Sequence, residues 1–177
     1  LPMGAYCAAL CGVFASFLCL GSSAIYHTWN ALPKGQHDFL LQIDMSGVIF
    51  NQVGNSITVI YFGLVGRQEE LMIFYFCYMG FFTMIGLKLA NIGAHPEYGV
   101  AVRNFGISSF ILLGLLPLIH TVFIATPELW DILFWFVISY PIAGSGLGVY
   151  LSRFPECFTP YFVDNFALTS HSLWHIW

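Results

Sequence analysis

The sequence predicts an all-α polytopic membrane helix bundle, and three observations carry that prediction. The chain is 177 residues long, 58% hydrophobic and 18% aromatic, with only 8% charged residues. A soluble domain carries about 25% charged residues, so there is too little charge here to cover a water-soluble surface. The few charges are also spaced out, leaving charge-free runs at 45–66, 71–87, 104–127, 132–152 and 165–177, besides the stretch before Lys34. Finally, runs such as 105–124 and 132–150 do not alternate in polarity, as the strands of a membrane barrel must. Soluble, disordered and nucleic-acid-binding classes are excluded, the last because no basic face exists.

About 20 apolar residues span the hydrocarbon core. On that rule the chain reads as one transmembrane domain over 1–177, with six helices at roughly 3–28, 40–65, 69–91, 104–125, 130–152 and 162–177. No basic stretch precedes the first apolar run, so a cleavable signal peptide is not expected. No repeat or Ser/Pro-rich linker divides the chain.

Basic residues concentrate in cytoplasmic loops. Lys34, Lys88, Arg103 and Arg153 fall in the first, third and fifth connections, against Arg67 alone in the second and fourth. The odd connections are therefore expected on the cytoplasmic side. That topology places four ionisable residues near one boundary: His27 at the end of the first helix, Asp44 early in the second, and His171 and His175 early in the sixth.

An ionisable side chain inside a membrane helix costs about 2.5–3.5 kcal/mol, so it needs a partner or a function. His171 and His175 are four residues apart and share a helical face. With His27 they make three nitrogen donors, the number that a catalytic zinc site uses while keeping one position open. Asp44 is either a fourth ligand or the acceptor that orients a bound water. Ser23, one turn before His27, is placed to hydrogen-bond a ligand or a substrate carbonyl. Asn51, Asn55 and Thr58 continue from Asp44 at helical spacing and are expected to line a cavity. The competing reading of the same residues is a hydrogen-bonded packing cluster between helices.

His120 reads as a packing or interfacial residue, and His37 and His95 as solvated loop residues. Five cysteines, mostly in apolar runs, argue against a disulfide framework; Cys7 and Cys11 read as packing residues, and Cys157 as a possible palmitoylation site. Gly144, Gly146 and Gly148 are expected to let another helix approach closely. Pro117 and Pro141 are expected to kink their helices.

The stretch SSAIYHTW at 22–29 followed by IDMSGVIF at 43–50 resembles the signature of the progestin and adipoQ receptor family, which includes adiponectin receptors and haemolysin III-like proteins. LLPLIH at 115–120, YPIAGSGLGVYLSRFPECFTP at 140–160 and SHSLWHIW at 170–177 fit the same family in order. The resemblance implies a seven-helix membrane protein with a cytoplasmic N-terminus, of which this chain holds helices two to seven, the last cut short. It also implies a zinc ion held by His27, His171 and His175, with Asp44 close by holding water. Members are similar to alkaline ceramidases, so the implied activity is hydrolysis of ceramide or a related sphingolipid amide, assisted by Asp44 and Ser23. Such a protein would sit in the plasma membrane or an internal membrane, with membrane lipids and an extracellular hormone as partners. The chain departs from the family in being more polar at Asn51, Gln52 and Asn55, and in about one extra residue between Pro160 and His171, which blurs the alignment of Asp164. Two alternatives remain at this point: a receptor or scaffold in which zinc only staples helices, and a channel or transporter using Asp44 and the Asn stripe.

Overall fold

The computed structural model describes residues 2–29, 32–92, 99–158, 169, 170, 173 and 174, with backbone only at 132. Its described elements are five helices: α1 (Met3–Thr28), α2 (Lys34–Leu64), α3 (Glu69–Ile92), α4 (Gly99–Phe123) and α5 (Pro127–Ser152). No strand occurs among the described residues. Long apolar helices are the expected outcome, because hydrocarbon offers no partner for backbone N–H and C=O groups and a helix satisfies them internally. The chain divides into two compact units, 1–129 and 130–177.

The five described helices follow the first five of the six expected, in order, but three begin earlier than expected. α2 starts at Lys34 rather than 40, α4 at Gly99 rather than 104, and α5 at Pro127 rather than 130. Gaps between charges mark the apolar part of a helix, whereas local backbone chemistry decides where it starts. Before α2, the Pro33 carbonyl accepts from the N–H groups of Gln36 and His37 at 2.9 and 3.0 Å. At α5, Thr126 precedes Pro127, and proline is favoured at a first helical position because its missing N–H would be unbonded there anyway. Lys34, Asp38, Lys88 and Arg103 consequently sit in the end turns of helices, not in loops. The sixth expected helix lies almost wholly outside the described residues.

α1, α3, α4 and residues 133–152 of α5 are long and apolar enough to cross a membrane. α2 carries Asp44 and several amides, and it packs against α1, α3 and α4. Leu41, Met45, Ile49, Val59, Ile60 and Leu64 of α2 are all buried. Neighbouring helices thus shield the most polar helix of this unit.

α3 and α4 are joined by side-chain hydroxyls. Pro117 has no N–H, so the carbonyl of Leu113 one turn earlier loses its helical donor. The Tyr78 hydroxyl of α3 donates to that carbonyl at 3.3 Å. Tyr75 bonds the Nδ1 of His120 at 2.8 Å, which gives His120 the packing role expected of it. The turn after α2 uses Gly66 at φ +69°, and the Leu64 carbonyl accepts from Arg67 and Gln68 at 3.1 and 3.0 Å. From this turn Arg67 Nη2 donates to Thr126 Oγ1 at 3.1 Å, tying together the α2–α3 and α4–α5 connections. The Thr126 hydroxyl, its own backbone N–H and the nearby Arg67 hold the exposed Glu128 carboxyl below its usual range.

Within the second unit, α5 ends where Arg153 takes a positive φ of 55°. Among the described residues, nothing lies against Gly144 or Gly148, so the close approach expected there is not made by them at these two positions. Glu156 Oε1 accepts from both N and Oγ of Ser170, at 2.7 and 2.9 Å. Burial opposes ionisation of Glu156, but its own N–H, the two Ser170 bonds and Arg153 outweigh that and lower its pKa.

Candidate functional site

The site is built on the antiparallel seam between α1 and α2. Small residues line it on α1, where Ala5, Ala8, Gly12, Ala15 and Ser23 are buried. A Cβ at Gly12 would lie 2.9 Å from Thr58 Oγ1, and one at Gly54 would run into Ala15 and lie 2.8 Å from the Cys11 carbonyl. A Cβ at Gly47 would meet Ser22 and lie 3.0 Å from Cys19 Cα. Glycine here permits two backbones to approach at helix-contact distance.

Polar side chains fasten the same seam. Ser16 Oγ donates to Asn51 Oδ1 at 2.8 Å, and Asn55 Nδ2 donates to the same oxygen at 3.3 Å. Thr58 Oγ1 lies 2.9 Å from the Ala8 carbonyl and 3.0 Å from that of Gly54. The expectation that Asn51, Asn55 and Thr58 line a cavity is therefore corrected. Helical spacing shows that they share a face, but only the neighbouring helix shows that this face meets α1 and not a void.

The seam's register brings Ser23 and Asp44 together. Cys19 opposes Gly47 on one side of them, and Tyr26 meets His37 on the other, with its hydroxyl 3.3 Å from His37 Nε2. Between these two contacts Ser23 is 5% exposed and Asp44 only 2%. The Asp44 carboxylate is within electrostatic reach of the Cys19 thiol. His27 follows Ser23 by one turn at the end of α1, where it is exposed, with its ring 5.0 Å from that of Tyr26.

His37 was expected in a solvated loop and is instead in the first turn of α2. Its Nδ1 is 3.3 Å from Asp38 Oδ1, and its ring centroid is 5.4 Å from that of Tyr26. Tyr26 and His37 are the neighbours of the site that motif reading missed. The available signal was the seven-residue spacing from His37 to Asp44, which puts both on one face once α2 is started at Pro33.

Of the expected site residues, Ser23, Asp44 and His27 thus gather at one end of the α1–α2 seam. His171 and His175 lie outside the described residues, as does His95. Among the described residues no group of three His, Cys, Asp or Glu side chains could hold a metal. Cys7, Cys11, Cys77 and Cys157 are exposed, so the packing role expected for Cys7 and Cys11 is corrected. The side chains of Cys7 and Cys11 point away from the seam, whose face on α1 is taken by Ala, Gly and Ser.

Compared with protein families, residues 3–177 match the haemolysin-III-related family. The chain belongs to that family, which includes the progestin and adipoQ receptors and the adiponectin receptors. It is an integral, multi-pass membrane protein of receptor-like type. Comparison with curated proteins finds no match.

Proposed function

We propose that this protein is a zinc-dependent lipid amide hydrolase acting in signalling, with ceramide or a related sphingolipid as substrate. The observation that supports it is the burial of a carboxylate, Asp44, and a hydroxyl, Ser23, at one end of the α1–α2 seam, one turn from His27. The donor chemistry fits zinc: His27, His171 and His175 would hold it, leaving Asp44 for protons. Bound zinc supplies Lewis acidity and brings the pKa of a water ligand toward 7.

The chain's own residues do the rest. Asp44, withdrawn from bulk water, orients the attacking water by accepting its hydrogen bond and takes its proton at Oδ. Ser23 Oγ donates to the amide carbonyl oxygen and stabilises the charge that develops there. Hydrolysis then breaks the C–N bond, with OH passing to the acyl carbon and the proton to the departing amine. A purely structural zinc is the weaker reading, because the α1–α2 seam already closes through glycine, threonine and asparagine contacts. The channel reading loses its motive, since the Asn stripe meets α1.

In the membrane we assign the chain six spans of a seven-helix bundle, with the His27 end on the cytoplasmic side. The positive charges of the odd connections, Lys34, Lys88, Arg103 and Arg153 against Arg67 alone in the even ones, support this orientation. Purified full-length protein is expected to carry one zinc and to release fatty acid from ceramide. Asp44→Asn should keep the zinc and lower release about 100-fold, within the range of a lost general base. Loss of zinc in a His171→Ala/His175→Ala variant that still cleaves ceramide at the parental rate would sink the hydrolase reading.

A further inference from the structure

The start of the sixth expected helix is held by a residue outside it. Glu156 lies just past the end of α5 and reaches a residue 14 positions further along the chain. Its Oε1 accepts from both the N–H and the hydroxyl of Ser170, at 2.7 and 2.9 Å. A helical turn begins there, because the Thr169 carbonyl accepts from the Leu173 N–H at 2.9 Å. A helix leaves its first N–H groups without an intrahelical acceptor, and its N-terminal dipole favours a carboxylate in that role. Ser170 is 6% exposed, so bulk water does not readily replace an acceptor lost at this point.

A second contact lies one turn further on. The ring of Trp174 packs on that of Tyr150 in α5, with centroids 5.0 Å apart and planes at 34°. Ser170 and Trp174 are four residues apart and so share a helical face. One contact would fix the height of this turn and leave it free to rotate. Two on the same face fix the rotation as well. Both partners, Tyr150 and Glu156, belong to the same compact unit as the turn they hold.

His171 and His175 lie outside the described residues, but each follows one of these two residues in the sequence. At about 100° per residue, the rotation that sets Ser170 and Trp174 also sets where the next position leaves the axis. Small errors matter here. A helix with its side chains has a radius of about 5–6 Å, so a rotation of roughly 20° moves a side-chain end by about 2 Å. A zinc–nitrogen bond is about that long.

We infer that Glu156 is a positioning residue for the zinc site: by clamping Ser170, while Tyr150 holds Trp174, it fixes the rotation from which His171 and His175 reach the metal. This role rests on the zinc reading above and adds to it a residue that need touch neither metal nor substrate. What the clamp requires of residue 156 is a hydrogen-bond acceptor, so an amide oxygen in place of the carboxylate should serve.

The test uses full-length protein in detergent micelles. Competition with a chromophoric chelator reads zinc affinity, and the visible absorption of the cobalt(II)-substituted protein reads ligand geometry. Glu156→Ala should weaken zinc binding about tenfold, as loss of an outer-shell support does, and shift the cobalt spectrum. Glu156→Gln should restore both to the parental values. Ser170→Ala keeps the N–H bond and should fall between, while Tyr78→Phe, a lost hydrogen bond in the first unit, should leave zinc affinity at the parental level. Thermal midpoints check folding. If Glu156→Ala does not fold, Ser170→Ala against the parent decides the question. Parental affinity and cobalt spectrum in Glu156→Ala, or Glu156→Gln as weak as Glu156→Ala, would overturn the clamp and leave the zinc reading intact. A parent that binds no zinc, or zinc binding undiminished in His171→Ala/His175→Ala, would remove the zinc reading itself, and the clamp with it.

Discussion

Two helix pairs in the first unit solve the same problem in opposite ways. α1 and α2 meet backbone to backbone, through Gly12, Gly47 and Gly54, with Ser16, Asn51 and Thr58 bonding across the contact. α3 and α4 meet through large side chains, with Tyr78 reaching the carbonyl that Pro117 leaves open and Tyr75 reaching His120. In lipid there is little hydrophobic drive to bring helices together, so each pair relies on dispersion contact and hydrogen bonds. The first arrangement is rigid and intolerant of added atoms. The second tolerates change, because its contacts are made by side-chain ends. A buried carboxylate needs fixed surroundings, and Asp44 is found in the first kind of seam.

Overpacking should break the comparison most sharply. Gly54→Val drives a side chain into Ala15 and the Cys11 carbonyl, and is expected to cost about 3 kcal/mol. The same change at Gly80 of α3, which has open space around it, should stay within about 0.5 kcal/mol. Reversible unfolding in mixed detergent micelles would measure both, and equal losses would show that the α1–α2 seam is no less tolerant of added atoms than an open helix surface. Next in size is Asn51→Leu, which removes the shared acceptor of Ser16 and Asn55 and should cost about 1 kcal/mol in the same assay.

Tyr78→Phe keeps the ring and loses only the bond to Leu113, so about 0.6 kcal/mol is expected. A loss as large as that of Gly54→Val would show that the second seam is no more tolerant than the first. The smallest effect lies in the second unit and depends on pH. The Glu156 carboxyl has its pKa lowered in the fold, so its contribution is present above the unfolded value and is lost as pH falls through the folded one. Hydrogen-exchange protection of the Ser170 amide should therefore drop under acid conditions, and Glu156→Gln should remove that pH dependence.

Much of this was legible in the residues. Charge spacing located five helices because lipid penalises charge strongly enough to exclude it from most of each span. It misplaced three starting points, since a helix can run past the apolar boundary, as α2 does from Pro33 through His37. The Ser23, His27 and Asp44 grouping was legible because His27 and Asp44 are costly in a membrane helix, Ser23 lies one turn from His27, and all three fall at one end. The seam glycines were passed over in favour of Gly144 and Gly148, which meet nothing among the described residues. A glycine looks the same in sequence whether another backbone or lipid lies beside it.

The sequence by itself determined that this is a helical membrane protein, where its helices run and which residues are too polar to be there by chance. Those properties follow from transfer free energies and helical periodicity, which act residue by residue. Tertiary structure decided that the Asn stripe fastens α1 to α2 and that Tyr26 and His37 flank the site. Each of these depends on which face of one helix meets which face of another. Periodicity defines a face, but only a partner gives it something to touch.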